Sequence, residues 1–238
     1  MEVVYEDNHI IVINKAPGEI VQGDKTGDKP LSETVGEWLK KKYDKPGNVF
    51  VGVVHRLDRP VGGLVIFAKT SKALTRLNEM LRKGEIHKTY WAIKRNMPPK
   101  PEALVESYIR TVERNNKSYV SAAPRDGAKE AKLRYRLIAS SDRYHLLEVN
   151  LLTGRKHQIR VQLSSIGCPI KGDLKYGDKR SNPDGSISLM ARHLSFVHPV
   201  SGKTIDLTAP LPAGAESTLW NVLASGVAGT HENEAGED

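Results

Sequence analysis

Between Thr89 and Leu151 the sequence alternates short β-branched and aromatic runs with charged turns, a pattern that commits most of this region to strands. The runs Tyr90–Ile93, Leu104–Ile109, Ser118–Ala122, Ala131–Leu137 and Tyr144–Val149 predict an antiparallel meander. Upstream, Val3–Tyr5 and Ile10–Ile13 predict two more strands, separated by the turn formers Asp7-Asn8 and closed by Lys15-Ala16-Pro17-Gly18. Apolar strands are also expected through Val51–Val54 and Leu64–Ala68, with the polar stretch His55 to Gly63 between them. Helices are fewer. Leu31, Val35, Trp38 and Leu39 recur at helical spacing after Pro30. Leu74, Leu77 and Leu81 share one helical face, with Ser71 as the expected N-cap and Gly84 as the left-handed C-cap. A third helix is predicted from about Lys156 to Ile166, stopping at Gly167, followed by strands near Ile187–Phe196 and Thr204–Leu207. The layout is α+β with strands dominating. The Pro-rich segment 97–101 is stiff enough to join two subdomains, and residues 224–238 read as a disordered acidic tail.

The formal net charge is +8, but the last fifteen residues carry Glu232, Glu234, Glu237 and Asp238 with no lysine or arginine, which leaves +12 on residues 1–223. A basic surface of that size suits a polyanion, because cations that contact phosphates release condensed counterions. Nucleic acid therefore heads the expected partners, although a soluble basic protein would show the same charge. Cys168 is the single cysteine, so no internal disulfide and no thiolate pair for a structural zinc can form. A reducing cytoplasm is the expected compartment. No apolar run approaches the roughly 20 residues needed to span a bilayer, and the first ten residues lack the pattern of a signal peptide. Neither a G-x-G-x-x-G loop, a Walker A loop nor an H-E-x-x-H motif is present, so the commonest nucleotide-binding and metalloprotease readings are excluded.

Two segments can carry chemistry. In Val54-His55-Arg56-Leu57-Asp58-Arg59-Pro60 an aspartate follows a buried strand and is flanked by two arginines, whose guanidinium groups favour the charged carboxylate. Such a group can act as nucleophile or base, or form a purely structural ion pair. His55 and Asp58 could also be metal ligands, but no further histidine–carboxylate cluster completes such a site. In Leu152-Thr153-Gly154-Arg155-Lys156-His157-Gln158-Ile159-Arg160 a tight turn feeds cations into the first turns of the third helix, with Lys156 and Arg160 expected on one face. Helix N-termini and arginines both favour phosphate, so this segment is either an RNA contact or a solvated basic helix start.

Together, His55-Arg56-Leu57-Asp58 and Gly154-Arg155-Lys156-His157-Gln158-Ile159-Arg160 resemble two signatures of the RluA-type pseudouridine synthases. Further blocks follow in the family's order: Asn14-Lys15-Ala16-Pro17-Gly18, Lys88-Thr89-Tyr90-Trp91-Ala92, Gly172-Asp173-Leu174-Lys175-Tyr176-Gly177, and Leu189-Met190-Ala191 with His198-Pro199. The resemblance runs from about Val3 to Pro212. The sequence departs from the family pattern at Ala16, where proline is usual, at Val61-Gly62, where Thr-Ser is common, and at Met190, where histidine is frequent.

The resemblance implies a mostly antiparallel bent sheet flanked by helices, with a catalytic cleft across its middle. It implies one catalytic domain over residues 1–223, built from two subdomains sharing a sheet; unlike in many relatives, no separate N-terminal RNA-binding domain is expected before the first strand. The implied reaction isomerises a flipped-out uridine in ribosomal or transfer RNA, with neither cofactor nor metal, and a monomer is expected. Asp58, Tyr90 and Arg160 would be catalytic. Arg56, His55, Arg155, Lys156, His157, Gln158 and Leu189 would contact the substrate or its RNA. The competing expectation is a catalytically silent RNA-binding module on the same scaffold.

Overall fold

The structure is a computed structural model that describes residues 1–125 and 127–234, with side chains in the last helix described as far as Val227. It divides into two compact units, residues 1–88 with 191–210 and residues 89–190 with 211–238. The Pro-rich segment 97–101 lies inside the second unit, so it is not the connection between them.

In the first unit, β1 (Glu2–Glu6), β2 (Ile10–Lys15), β4 (Gly62–Ala68) and β10 (Leu189–Val197, from Ala191 onward in this unit) are neighbours in that order. The short β3 (Gly52–Val53) pairs with β4, and β11 (Thr204–Thr208) pairs antiparallel with β10. β2 and β4 are apolar on both faces: Ile10 to Ile13 and Val65 to Ala68 have no exposed surface. Two amphipathic helices accompany these strands. α1 (Leu31–Lys42) buries Leu31, Val35 and Leu39, and α2 (Ser71–Lys83) buries Ala73 and Leu77. The N-cap of α2 is Thr70, whose hydroxyl accepts from the Ala73 N–H, and not Ser71, while Gly84 is the left-handed C-cap as predicted. Gly63 shows why no side chain is tolerated at the start of β4. Its φ is +110° and an added Cβ would lie 2.3 Å from the Ala191 carbonyl oxygen.

In the second unit the strand order is β5 (His87–Lys94, from Thr89 in this unit), β9 (His145–Leu151), β8 (Lys129–Ser140), β6 (Glu102–Val112) and β7 (Lys117–Ser121). The pairings are antiparallel, so the α+β class with mostly antiparallel strands holds, but the order is not a meander. β6 and β8 pair directly over eight residues each, which pushes the five-residue β7 to the far side of β6. α3 (Gln158–Ser165) begins two residues later than predicted because His157 adopts a left-handed conformation, φ +55°. Lys156 thus lies outside the helix and shares no helical face with Arg160.

The expected tail is also corrected. α4 (Ser217–Glu234) covers residues 217–234, so most of the stretch read as disordered is helical, and residues 235–238 lie outside the described ones. Trp220 and Leu223 anchor α4 in the interior, and Gly226 lets its backbone approach Ala139 of β8. Just before α4, Glu216 forms a buried ion pair with Lys171, 2.5 Å. Among the described residues no helix is long and apolar enough to cross a membrane.

Candidate active site

His55, Arg56 and Asp58 belong to the first unit, and Tyr90, Arg155, Lys156, His157, Gln158, Arg160 and Leu189 to the second.

Asp58 sits half-buried in the irregular segment between β3 and β4, and its backbone holds it in a fixed turn. Its carbonyl accepts from the Val61 N–H at 3.0 Å, and the next carbonyl, that of Arg59, accepts from the Gly18 N–H at 2.7 Å and from Lys15 Nζ at 3.2 Å. Lys15 also donates to the Ala16 carbonyl at 2.9 Å. The carboxylate-bearing loop is therefore clamped to the segment at and after the end of β2 by two donors, Gly18 N–H and Lys15 Nζ, and closed on itself by the Val61 N–H. The Arg59 guanidinium does not serve the carboxylate as the sequence suggested. It turns to Asp28 at 2.7 Å, Thr26 Oγ1 at 2.8 Å and, more loosely, Asp24 at 3.6 Å. Arg56 is exposed and has no ion pair or hydrogen bond among the described residues. The His55 ring sits under β4, where Nε2 accepts from the Ile66 N–H at 3.2 Å.

Lys15 braces the Asp58 loop through the Arg59 carbonyl, and a lysine ending an otherwise apolar strand was the visible signal in the sequence. It is 1% exposed, and burial lowers its pKa to about 8, against the raising influence of Glu19 and Asp58. The sign of its effect on stability follows. Below pH 8 the ammonium is charged in folded and unfolded chains alike, and its desolvation costs on the order of 3 kcal/mol. As pH rises from about 8 to 10.5 the folded protein releases this proton while the unfolded chain keeps it, so stability rises. Lys15→Met is expected to flatten that rise, as read from urea midpoints between these pH values. An unchanged pH slope would show that the ammonium is not buried in solution.

In the second unit, α3 is buried along its length from Gln158 to Leu163. Arg160 is 6% exposed, and its Nε and Nη2 bind Asp173 Oδ2 and Oδ1 at 2.7 and 2.8 Å. The guanidinium also lies over the Tyr176 ring, 5.0 Å from its centroid. Asp173 lies in the Gly172–Gly177 motif, and its pairing with Arg160 is visible only in three dimensions. Gly172 permits the turn that presents it, since a Cβ there would come within 2.8 Å of Asn182 and Ser186 and φ is +88°. The Tyr176 hydroxyl accepts from the Ser118 N–H and is hydrogen-bonded to His157 Nδ1, both at 2.8 Å.

Gln158 is 2% exposed and its amide is used inside the protein. Oε1 accepts from Thr153 Oγ1 and the Arg155 N–H, and Nε2 donates to the Lys132 carbonyl. It braces the turn before α3, and no polar atom of its side chain faces outward for RNA. His157 is 8% exposed, its ring set edge-on to Tyr176, and it too belongs to the interior of the unit. Arg155 donates to the Glu130 carbonyl, whereas exposed Lys156 pairs with Glu113 at 3.3 Å. Tyr90 and Leu189 are 6% and 5% exposed, on β5 and at the start of β10. Among the described residues no group of three or more His, Cys, Asp or Glu could hold a metal ion, and His55 Nε2 is already occupied by a backbone donor.

The family model described as RNA pseudouridylate synthase matches residues 9–165. The ribosomal large subunit pseudouridine synthase D of Xanthomonas campestris is 33% identical over 227 residues, covering 89% of this chain and 66% of that protein. The protein of the same name from Zymomonas mobilis is 34% identical over 224 residues, covering 89% and 69%. The chain thus spans about two thirds of the length of these relatives. Among solved structures, human RNA pseudouridylate synthase domain containing 4 shares the fold with a TM-score of 0.75 at 23% identity, over 95% of this chain and 93% of that one. By both the family match and the identity to these relatives, the chain belongs to the RNA pseudouridylate synthase family.

Proposed function

We propose that this protein isomerises a uridine in RNA to pseudouridine, with Asp58 as the essential carboxylate. The observation that carries the reading is the clamp on the Asp58 loop: the Val61 N–H, the Gly18 N–H and Lys15 Nζ fix the backbone carbonyls of Asp58 and Arg59. A group fixed before substrate arrives pays no reorganisation cost at the reacting atom.

The reaction breaks the bond from ribose C1′ to uracil N1, rotates the base and joins C1′ to C5, and the proton on C5 is then lost as N1 gains one. Atoms balance without an external oxidant or reductant. The uridine must leave its stack for these atoms to be reached, at a cost of a few kcal/mol. Unpaired, exposed Arg56 is suited to occupy the space the base leaves. Asp58 attacks C1′ or removes a sugar proton. Tyr90 stacks on the uracil and assists loss of the C5 proton, Leu189 gives an apolar wall, and Arg160 supplies compensating positive charge. Arg155 and Lys156 contact RNA phosphates, while Gln158 and His157 shape the turn that carries them. The names of the relatives favour ribosomal RNA over transfer RNA as the target. The protein would act as a cytoplasmic monomer.

The test is release of tritium from RNA labelled at uridine C5, with and without a chelator. Release indifferent to the chelator is expected. RNA binding without release would favour the silent module, and chelator-sensitive RNA cleavage a metal-dependent phosphoesterase.

A further inference from the structure

Arg59 follows Asp58 directly in the chain, and its backbone is held in place by the Gly18 N–H and Lys15 Nζ, which donate to its carbonyl. Its side chain turns elsewhere. Nη1 donates to Asp28 Oδ2 at 2.7 Å, Nη2 donates to Thr26 Oγ1 at 2.8 Å, and Asp24 Oδ2 lies 3.6 Å from Nη2. All three acceptors belong to the loop between β2 and α1. Thr26 donates its backbone N–H to Asp24 Oδ1 at 2.9 Å and its hydroxyl hydrogen to the same oxygen, which leaves the hydroxyl lone pairs for Arg59. The base of the loop is closed by two backbone bonds, Leu31 N–H to the Ile20 carbonyl at 2.7 Å and Ser32 N–H to the Val21 carbonyl at 3.2 Å. Lys29, beside Asp28 in sequence, is taken by Glu37 of α1 at 2.5 Å and leaves Asp28 to Arg59.

We infer that Asp24, Thr26 and Asp28 form a dock that holds the Arg59 guanidinium off the Asp58 carboxylate, which makes Asp24 and Asp28 positioning residues for the isomerisation. Neither aspartate need touch the uridine, because both act through Arg59. Consecutive Cα atoms lie about 3.8 Å apart, well within the reach of an arginine stem, so an undocked Arg59 has Asp58 as its nearest carboxylate in sequence. Charge-assisted hydrogen bonds from that fork would occupy the carboxylate oxygens, lower their basicity and cover the atoms that must meet the sugar. An isolated exposed ion pair holds weakly. Here three acceptors share one planar guanidinium and their loop is already closed, so little further ordering is needed. The inference rests on Asp58 being the reacting carboxylate.

The experiment measures the single-turnover rate constant of tritium release, at saturating bulk RNA from cells lacking the protein. Full chains are compared: wild type, Asp24→Ala with Asp28→Ala, Arg59→Met, and the triple variant. Losing both aspartates should slow release about five- to tenfold, because the freed guanidinium must leave Asp58 before the reaction begins. Arg59→Met keeps the backbone carbonyl that Gly18 and Lys15 hold, and should run within about twofold of wild type. The triple variant should return to that same range, since no cation remains beside Asp58 to cover it. A loop that merely supports the fold would not behave this way, because damage from the lost aspartates would persist whatever stood at residue 59. A wild-type rate without the two aspartates, or a triple variant as slow as the double, would overturn the inference. Equal slowing in Arg59→Met alone would overturn it too, by giving the guanidinium a task on the substrate. Those outcomes leave the functional reading standing, whereas a wild type that releases no tritium would sink that reading and the dock with it.

Discussion

Asp58→Asn is expected to abolish isomerisation, a fall on the order of 10⁴-fold or more in turnover, while RNA binding stays within a few fold. The substitution preserves shape and removes one negative charge, so it isolates the chemistry. Retention of the loop follows from its anchoring, because the clamp runs through backbone carbonyls: Asp58 O to Val61 N, and Arg59 O to Gly18 N and Lys15 Nζ. None of these bonds uses the carboxylate. Losing the charge also removes one of the two influences that raise the Lys15 pKa, so the ammonium should deprotonate at lower pH in the variant. Single-turnover tritium release with equilibrium binding on the same preparation separates the two effects. Turnover within tenfold of wild type would remove Asp58 from the mechanism.

What the sequence disclosed depended on whether the signal was local. The periodic face of α2 and its Gly84 cap are written within one helix, and both were legible. The strands of the second unit were legible as segments, but their order was not, since whether β8 pairs with β6 or with β7 depends on partners far along the chain. Thr70 outcompeted Ser71 as the cap because neighbouring hydroxyls look alike in sequence and only one has the extended backbone and reach to Ala73. α4 was missed because its glycines, threonines and β-branched residues weaken the helical signal, and the helix is held by tertiary packing of Trp220, Leu223 and Gly226. In the site, motif residues could be named but not their exposure. Gln158 is spent on the Thr153–Arg155 turn, Arg59 on the Asp24–Asp28 loop, and Lys15 is buried under Asp58's neighbour.

The Arg160–Asp173 pair gives the largest expected loss of stability. Its members are 7% and 1% exposed at the side chain, and two parallel hydrogen bonds join them. Truncating Asp173 takes a bidentate carboxylate away from a buried guanidinium, so Asp173→Ala should cost about 3–5 kcal/mol and lower Tm by roughly 6–20 °C. The effect should be smaller when both charges go. Asp173→Ala combined with Arg160→Met removes both charges of the bidentate pair and keeps an aliphatic chain over Tyr176, so much of the stability should return. Turnover should not return, because Arg160 is assigned a charge that methionine cannot supply. Asp173→Ala alone should also be slow, since the guanidinium loses the bidentate brace that orients it. Thermal melts and single-turnover tritium release on the two single variants and the double variant complete the cycle. If Asp173→Ala melts with wild type, the pair is not formed in solution. If the double variant recovers turnover along with stability, Arg160 serves the fold and carries no charge the reaction needs.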